Sequence, residues 1–152
     1  MALLSQAQIT RPPVDLDMCA RVAGVQLVAY ADLGTQSALL SLVEGIVGVV
    51  INSRHRPTRQ RFSLAHELGH WILERSPVTH DLRPIAARGR AYSEVERVCD
   101  YFAASLLMPR EWVRAHTEDG QTNEELAKLF DVSPPAMTAR LRELGYISRR
   151  AL

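Results

Sequence analysis

The stretch RFSLAHELGHWIL, from Arg61 to Leu73, constrains the fold more than any other part of the sequence. Apolar residues cover most of its helical circumference, so it predicts a long and largely buried helix. Within it, His66 and His70 are four residues apart and Glu67 follows the first histidine. Residues at this spacing lie on one helix face, about 6 Å apart, so the two imidazoles can converge on one ion. Because polar groups on a buried helix are costly unless they are satisfied, the pattern predicts a metal site rather than an ordinary core helix.

The residue types favour zinc with a catalytic base beside it. Zinc accepts neutral imidazole nitrogens, and Glu67 lies one position further round the helix, where a carboxylate can take a proton from a zinc-bound water. A motif with a third histidine, HExxHxxGxxH, would need that histidine at position 76, where the chain has Ser76. The third ligand must therefore come from another segment.

A second helix, predicted from about Tyr92 to Met108, offers carboxylates for that role. At 100° per residue, Glu96 falls inside the apolar arc of this helix, whereas Glu94 falls on the polar arc. Since a buried carboxylate needs a cation, we predict that Glu96 is the third zinc ligand. Asp100 lies one turn later, at the edge of the same arc, and is predicted to accept a hydrogen bond from a ligand histidine.

The other cysteines and histidines are interpreted without a metal. Cys99 lies in the apolar arc, where a lone cysteine behaves as a small hydrophobe. Two cysteines in all are too few for a disulfide framework or a structural zinc ribbon. The three histidines outside the motif stand in or near polar loops and are predicted to be solvated: His55, His80 and His116.

Composition restricts the class of protein. The chain has 152 residues, of which 47% are hydrophobic, enough for one domain with a real core. Its 18 basic and 17 acidic residues give a net charge of +1, so there is no bulk electrostatic case for binding nucleic acid or an anionic membrane. The first residues lack the pattern of a signal peptide, and the most apolar stretch, Ala38 to Ile51, is too short and too broken to cross a bilayer. These features predict a soluble, cytoplasmic protein.

Hydrophobic patterning predicts an α+β fold. A small antiparallel sheet is expected before the helix of Thr58 to Arg75, with an irregular connection between the two zinc helices and shorter helices elsewhere. The expected strands are Val25–Tyr30, Ala38–Leu42 and Ile46–Ile51, the connection is Ser76–Ala91, and the shorter helices are Asp15–Ala23, Arg110–His116, Asn123–Phe130 and Pro134–Leu144, the last with Ser133 as N-cap. We expect residues 1–116 to form the core that holds the metal site, and residues 117–152 to form a helix-turn-helix-like segment packed on it.

Two regions resemble a known family. RFSLAHELGH, Arg61–His70, followed by VERVCDYFAASLLMP, Val95–Pro109, is similar to the ImmA/IrrE metallopeptidases. ELAKLFDVSPPAMTARLRELGYI, Glu125–Ile147, resembles the C-terminal helices of the same family. Many members have a glutamate where this chain has Val98, and its absence here strengthens the choice of Glu96.

Carried over residue by residue, the resemblance implies that residues 1–116 form a zincin-like metallopeptidase core, a zinc peptidase of the gluzincin-like kind. His66, His70 and Glu96 would hold the zinc, Glu67 would be catalytic, and Mn²⁺ is a second metal that could support activity. The resemblance also implies the protein substrate, a helix-turn-helix repressor of the Xre type, cleaved so that stress-response or mobile-element genes are derepressed.

The reaction would be hydrolysis of a peptide bond. Zinc lowers the pKa of its water to near 7, and Glu67 would take that proton and pass it to the leaving amine. One further donor should stabilise the oxyanion. The candidates are Tyr92, His80 and Arg88, because they lie in or beside the connection between the ligand helices.

The substrate is predicted to bind in an extended form along an edge of the sheet, beside Ala38–Leu42 or Ile46–Ile51, since pairing with a strand edge is a common way to hold a peptide. No membrane partner is expected.

Two alternative functions stay open at this point. The segment EELAKLFDVSPPAMTARL, Glu124–Leu141, has the shape of a helix-turn-helix, so the chain could be a DNA-binding regulator. The net charge of residues 121–152 is only +1, which disfavours direct DNA binding. The other alternative is an antitoxin-like protein with a structural zinc. A structural site is closed by four protein ligands, whereas only three good ones are visible here.

Overall fold

The computed structural model describes residues 2–75 and 94–147, apart from the side chain of Glu74. Its elements confirm the α+β class: two short helices, a three-stranded sheet, and then a run of helices. They are α1 Ala2–Gln6, α2 Leu16–Val22, β1 Leu27–Ala31, β2 Ala38–Val43, β3 Ile46–Asn52, α3 Pro57–Glu74, α4 Glu94–Leu107, α5 Arg110–Glu118, α6 Asn123–Phe130 and α7 Pro134–Glu143. Within these ranges, no helix is both long enough and apolar enough to cross a membrane.

The sheet is mixed, so the prediction of antiparallel pairing is confirmed for β2 and β3 and wrong for β1. Its order is β1-β3-β2, with β3 antiparallel to β2 and parallel to β1. A two-residue turn with positive φ at Glu44 and Gly45 joins β2 to β3, as the twist of a hairpin favours. The loop of residues 32–37 carries the chain past β3, and the buried amide of Asn52 donates to the carbonyls of Gly34 and Gln36 at 3.1 and 2.7 Å. Because β3 lies between the other two strands, it cannot be an edge for a substrate.

Local signals in the sequence explain where the helices begin. Pro57 occupies the first turn of α3, where its missing N–H is not needed. Ser133 caps α7 as predicted, and its side chain accepts from the amide of Ala136 at 3.3 Å. Thr122 and Glu125 form a reciprocal capping box at the start of α6.

The core lies between α3, the inner face of the sheet and the C-terminal helices. Leu64, Ala65 and Leu68 of α3 are buried in it, together with Val49 of β3 and Phe130 of α6. Burial of this face fixes the rotation of α3, and therefore the direction in which its polar residues point.

Arginine side chains attach the flanking segments to this core. Arg61 of α3 donates to the carbonyls of Val14 at 2.9 Å and Asp131 at 3.1 Å. Arg140 of α7 is buried and donates to the carbonyl of Met108 at 3.0 Å. The C-terminal helices therefore contact both ligand helices of the predicted zinc site through hydrogen bonds as well as apolar packing.

Candidate metal centre

Two imidazoles and one carboxylate converge where α3 packs on α4. His66, His70 and Glu96 each offer a ligand atom, and these atoms lie within 4.8 Å of one another. The Nε2 atoms of the two histidines are 3.1 Å apart. The Glu96 carboxylate lies 3.1 Å from Nε2 of His66 and 3.2 Å from Nε2 of His70. The structure thus brings together the three side chains that the spacing and the helical arc selected.

These distances fit a small cation with tetrahedral geometry. Zinc bonds of about 2.0–2.1 Å at tetrahedral angles place neighbouring ligand atoms about 3.3–3.4 Å apart. The three observed separations fall within a few tenths of an ångström of that value. Two imidazole nitrogens and a carboxylate are also a donor set that zinc accepts.

Asp100 determines which nitrogen of His66 faces this centre. Its Oδ1 lies 2.8 Å from Nδ1 of His66. An ionised carboxylate can only accept, so Nδ1 carries the hydrogen, and a neutral ring then presents the lone pair of Nε2 to Glu96. Two lone pairs 3.1 Å apart repel each other unless a cation or a proton lies between them. The donor set therefore matches a metal ion on charge as well as on geometry.

The centre lies near the surface of the described structure. The side chains of His66 and His70 are 15% and 22% exposed, whereas those of Glu96 and Asp100 are 37% and 38% exposed. The expectation that Glu96 is buried was therefore wrong, and Val98 in the same arc is also exposed. Partial exposure suits a reacting site, because water and a substrate can reach the ligand atoms.

Glu67 and Cys99 lie on the two helices that carry the three donors. The Cys99 thiol is fully buried, and burial, with smaller contributions from the charges of Glu96, Glu67 and Asp100, raises its pKa to about 12. A thiol with this pKa remains protonated at neutral pH, and Cys99 does not belong to the group of three donors. Glu67 directly follows His66 on α3, is half-buried, and lies within electrostatic range of this thiol.

Gly69 is a residue that the sequence reasoning missed. A Cβ atom there would lie 3.1 Å from Cδ1 of Phe102 and 3.3 Å from Cα of Cys99. The glycine therefore permits α3 and α4 to approach closely at the turn that carries both histidines. A small residue three positions after His66 was the available signal, because close helix contacts require small side chains.

The other predicted site residues are not part of this group. Tyr92, His80 and Arg88, the oxyanion candidates, lie outside the described residues. His55 and His116 are half-buried rather than solvated, and the ring of His116 packs on Phe130 with centroids 6.1 Å apart. Neither belongs to the group of three donors.

Curated relatives share the chain's sequence over much of its length. It is 33% identical to the radiation response metalloprotease IrrE of Deinococcus radiodurans over 131 residues, which cover 83% of this chain and 39% of the relative. The protein of the same name from Deinococcus deserti is 36% identical over 99 residues, 64% of this chain and 35% of the relative. The chain thus spans less than two fifths of the length of these curated relatives.

A solved structure supports the fold alone. A structure described as a Mycobacterium tuberculosis transcriptional regulator superposes with a TM-score of 0.62, at 20% identity, over 92% of this chain and 44% of that chain. The family model described as the IrrE N-terminal-like domain, a peptidase family, matches residues 21–142, which include α3, α4 and the whole sheet. The chain belongs to the ImmA/IrrE family of metallopeptidases.

Proposed function

We propose that the chain is a zinc-dependent endopeptidase that cleaves a helix-turn-helix repressor of the Xre type. The observation that carries the chemistry is the convergence of His66, His70 and Glu96 with separations of 3.1–3.2 Å. The repressor as substrate is supported by the family resemblance. A stress-response role is supported by the name of the curated relatives, radiation response metalloprotease.

The three ligands leave room for the reactants. Among the described residues, these three are the only group of donors that could share one metal ion. Catalytic zinc sites use three protein ligands and keep a further position for water or substrate. When bound, zinc would polarise the scissile carbonyl and lower the pKa of a coordinated water to about 7. Mn²⁺ is an alternative metal for the same donors.

Glu67 is proposed to move the proton. It directly follows His66 on α3, so its carboxylate projects about 100° round the helix from that ligand rather than onto the same line. From this position it would take a proton from the attacking water and deliver it to the leaving nitrogen.

The substrate is proposed to lie along β2. This strand is at an edge of the sheet and packs against α3, and its residues Leu42 and Val43 are exposed. A peptide added there would pair through main-chain hydrogen bonds. Proline at Ser41 or Val43 should then reduce cleavage, and unchanged cleavage by both variants would remove this part of the proposal.

Direct DNA binding by the C-terminal helices has little support. Arg140, one of the few basic residues of this segment, is buried and is held by Met108 and by Glu143 at 2.8 Å. It is therefore not available to a phosphate, and the positive charge that residues 121–152 can offer to DNA is smaller than their sequence suggests.

Metal content and cleavage together test the proposed function. We expect about one zinc per chain in the dialysed wild type and much less in Glu96→Ala, by elemental analysis. Helix-turn-helix repressors from the same organism, incubated with the wild type, should yield defined fragments by mass spectrometry. Glu67→Gln should keep the metal and lose cleavage; wild-type cleavage by this variant would contradict the assigned base.

A further inference from the structure

A cavity with arginines at its rim lies at the start of α3. Its volume is about 490 Å³, and it opens between the β3–α3 loop and the first turn of α7. Arg54, Arg56 and Arg59 line it together with an apolar floor of Phe62, Val132 and Ala136. Among the residues that the structure describes, none that lines this cavity is acidic, and we call it the basic cavity.

The positive charge of the basic cavity is poorly compensated. Arg54 pairs with Asp32 at 3.3 Å, but both side chains are more than half exposed, so the pair is weak. Arg59 donates to the neutral Ser37 hydroxyl at 3.2 Å. In residues 2–75 and 94–147, the side chain of Arg56 makes no hydrogen bond or ion pair. Three guanidinium groups beside one cavity are suited to carboxylates or phosphates.

The basic cavity lies on the same helix as the metal centre, one to two turns before it. Thr58 and Phe62, which line the cavity, precede His66 and His70 on α3 at successive intervals of four residues. Neighbouring members of such a series share a helix face. With a rise of 1.5 Å per residue, Thr58 lies about 12 Å before His66 along the axis. An extended peptide covers that distance with about four residues.

We propose that the basic cavity holds an acidic segment of the protein substrate, a few residues from the bond that is cut. This inference rests on the proposed peptidase function and names a feature of its substrate. Carboxylates would pair with the arginine rim, and apolar side chains between them would cover Phe62, Val132 and Ala136.

The observations favour a polypeptide over DNA. A duplex presents a convex row of phosphates and requires cations spread along its length. Here the arginines are gathered at one concave site, its floor is apolar, and the chain as a whole carries a net charge of only +1.

Peptide binding tests this proposal without cleavage. Fluorescence anisotropy would be measured with a labelled peptide that alternates glutamate and leucine, on the full chain carrying Glu67→Gln. A second peptide has glutamine in place of glutamate. The test variant combines Arg54→Gln, Arg56→Gln and Arg59→Gln. A matched control removes the same charge from exposed arginines outside the cavity: Arg11, Arg110 and Arg114.

We expect the cavity variant to weaken binding of the acidic peptide at least about tenfold, and the control variant to change it by less than about twofold. Arg56→Glu alone, checked for folding by circular dichroism, should weaken binding as well. Equal losses in both triple variants, or equal binding of the glutamine peptide, would overturn the proposal. So would displacement of the peptide by a short DNA duplex or by inorganic phosphate at lower concentrations than by unlabelled acidic peptide. Because no bond is cut, an inactive peptidase would leave this readout intact, and the zinc measurement on Glu96→Ala tests the peptidase separately.

Discussion

The ring of His66 is held from both sides, and this determines how it can act. Asp100 accepts from Nδ1 at 2.8 Å, while Nε2 faces Glu96 and His70. Carboxylates in this position fix the tautomer and raise the basicity of a ligand histidine, and their removal typically lowers metal affinity 10–100-fold. We therefore propose that Asp100 positions His66.

We expect Asp100→Ala to weaken zinc binding by about 10–100-fold, measured by competition with a chromophoric chelator. Asp100→Asn should recover part of the affinity, because its amide oxygen can still accept from Nδ1. Glu94→Gln is the control, since Glu94 lies on the same helix and is exposed. If Asp100→Ala binds zinc as tightly as Glu94→Gln does, the hydrogen bond to His66 does not position the ligand.

The two thiols should be inert in the folded chain. Burial raises the pKa of Cys19 to about 11 and that of Cys99 to about 12, with nearby carboxylates adding to the rise. At neutral pH both groups remain protonated, and the thiolate is the reactive form. We expect slow reaction with a disulfide reagent in the native protein and prompt reaction of both cysteines in urea. A cysteine that reacts rapidly without denaturant would show that its surroundings open readily.

For single residues, sequence spacing predicts the direction in which a side chain points but not whether neighbouring elements bury it. Four-residue spacing and the helical arc selected the three donors that the structure brings together, and also Asp100 beside His66. The same arc predicted a buried Glu96, which is 37% exposed. A helical wheel gives the direction of a side chain, but which neighbours cover it depends on how the other helices pack.

At the scale of elements, the close approach of α3 to α4 depends on a glycine. Gly69 lies between the two ligand histidines and faces Cys99 and Phe102 of α4. Alanine would favour the helix by about 1 kcal/mol, but a Cβ in contact with α4 at 3.1–3.4 Å should cost about 1–3 kcal/mol. The contact with the Cys99 backbone can be relieved only by separating the helices, which moves Glu96 away from the histidines.

We therefore expect Gly69→Ala to bind zinc about tenfold more weakly and to be destabilised by about 1 kcal/mol in urea denaturation. Adding Phe102→Leu should recover part of the stability, since it removes the ring atom nearest to the new methyl group. A variant that is more stable than the wild type, with unchanged zinc affinity, would show that close approach of the helices is unnecessary.

The strands of the sheet could be predicted from the sequence, but their arrangement could not. Three strands separated by turn signals were recognised, but their order and the parallel pairing of β1 with β3 were not. The turn between β2 and β3 is short enough to dictate a hairpin. The longer loop of residues 32–37 is compatible with either side of β3. The amide of Asn52 holds this loop by hydrogen bonds to the carbonyls of Gly34 and Gln36. The sequence carries no signal for these bonds.

Over the whole molecule, long-range hydrogen bonds join segments that are distant in sequence. Arg61 links α3 to residues near α2 and α6, and Arg140 links α7 to the end of α4. Neither link could be predicted, because an isolated arginine carries no signal for its partner. The division into residues 1–116 and 117–152 stays a prediction.

A metal held by both α3 and α4 would join the two helices that form the centre, so its effect should appear in the stability of the whole chain. A ligand that binds only the folded state at about 1,000 times its Kd stabilises it by about 4 kcal/mol. For a chain of this size, that corresponds to a rise in Tm of about 10 °C. We therefore expect zinc to raise the Tm of the chelator-treated protein by about 10 °C in calorimetry, and to leave Glu96→Ala and His70→Ala nearly unchanged. Glu94→Gln should respond like the wild type, because its carboxylate is exposed and lies outside the group of three donors. An equal rise in Glu96→Ala would mean that zinc stabilises the fold from a different site, and the three-ligand centre would then have to be abandoned.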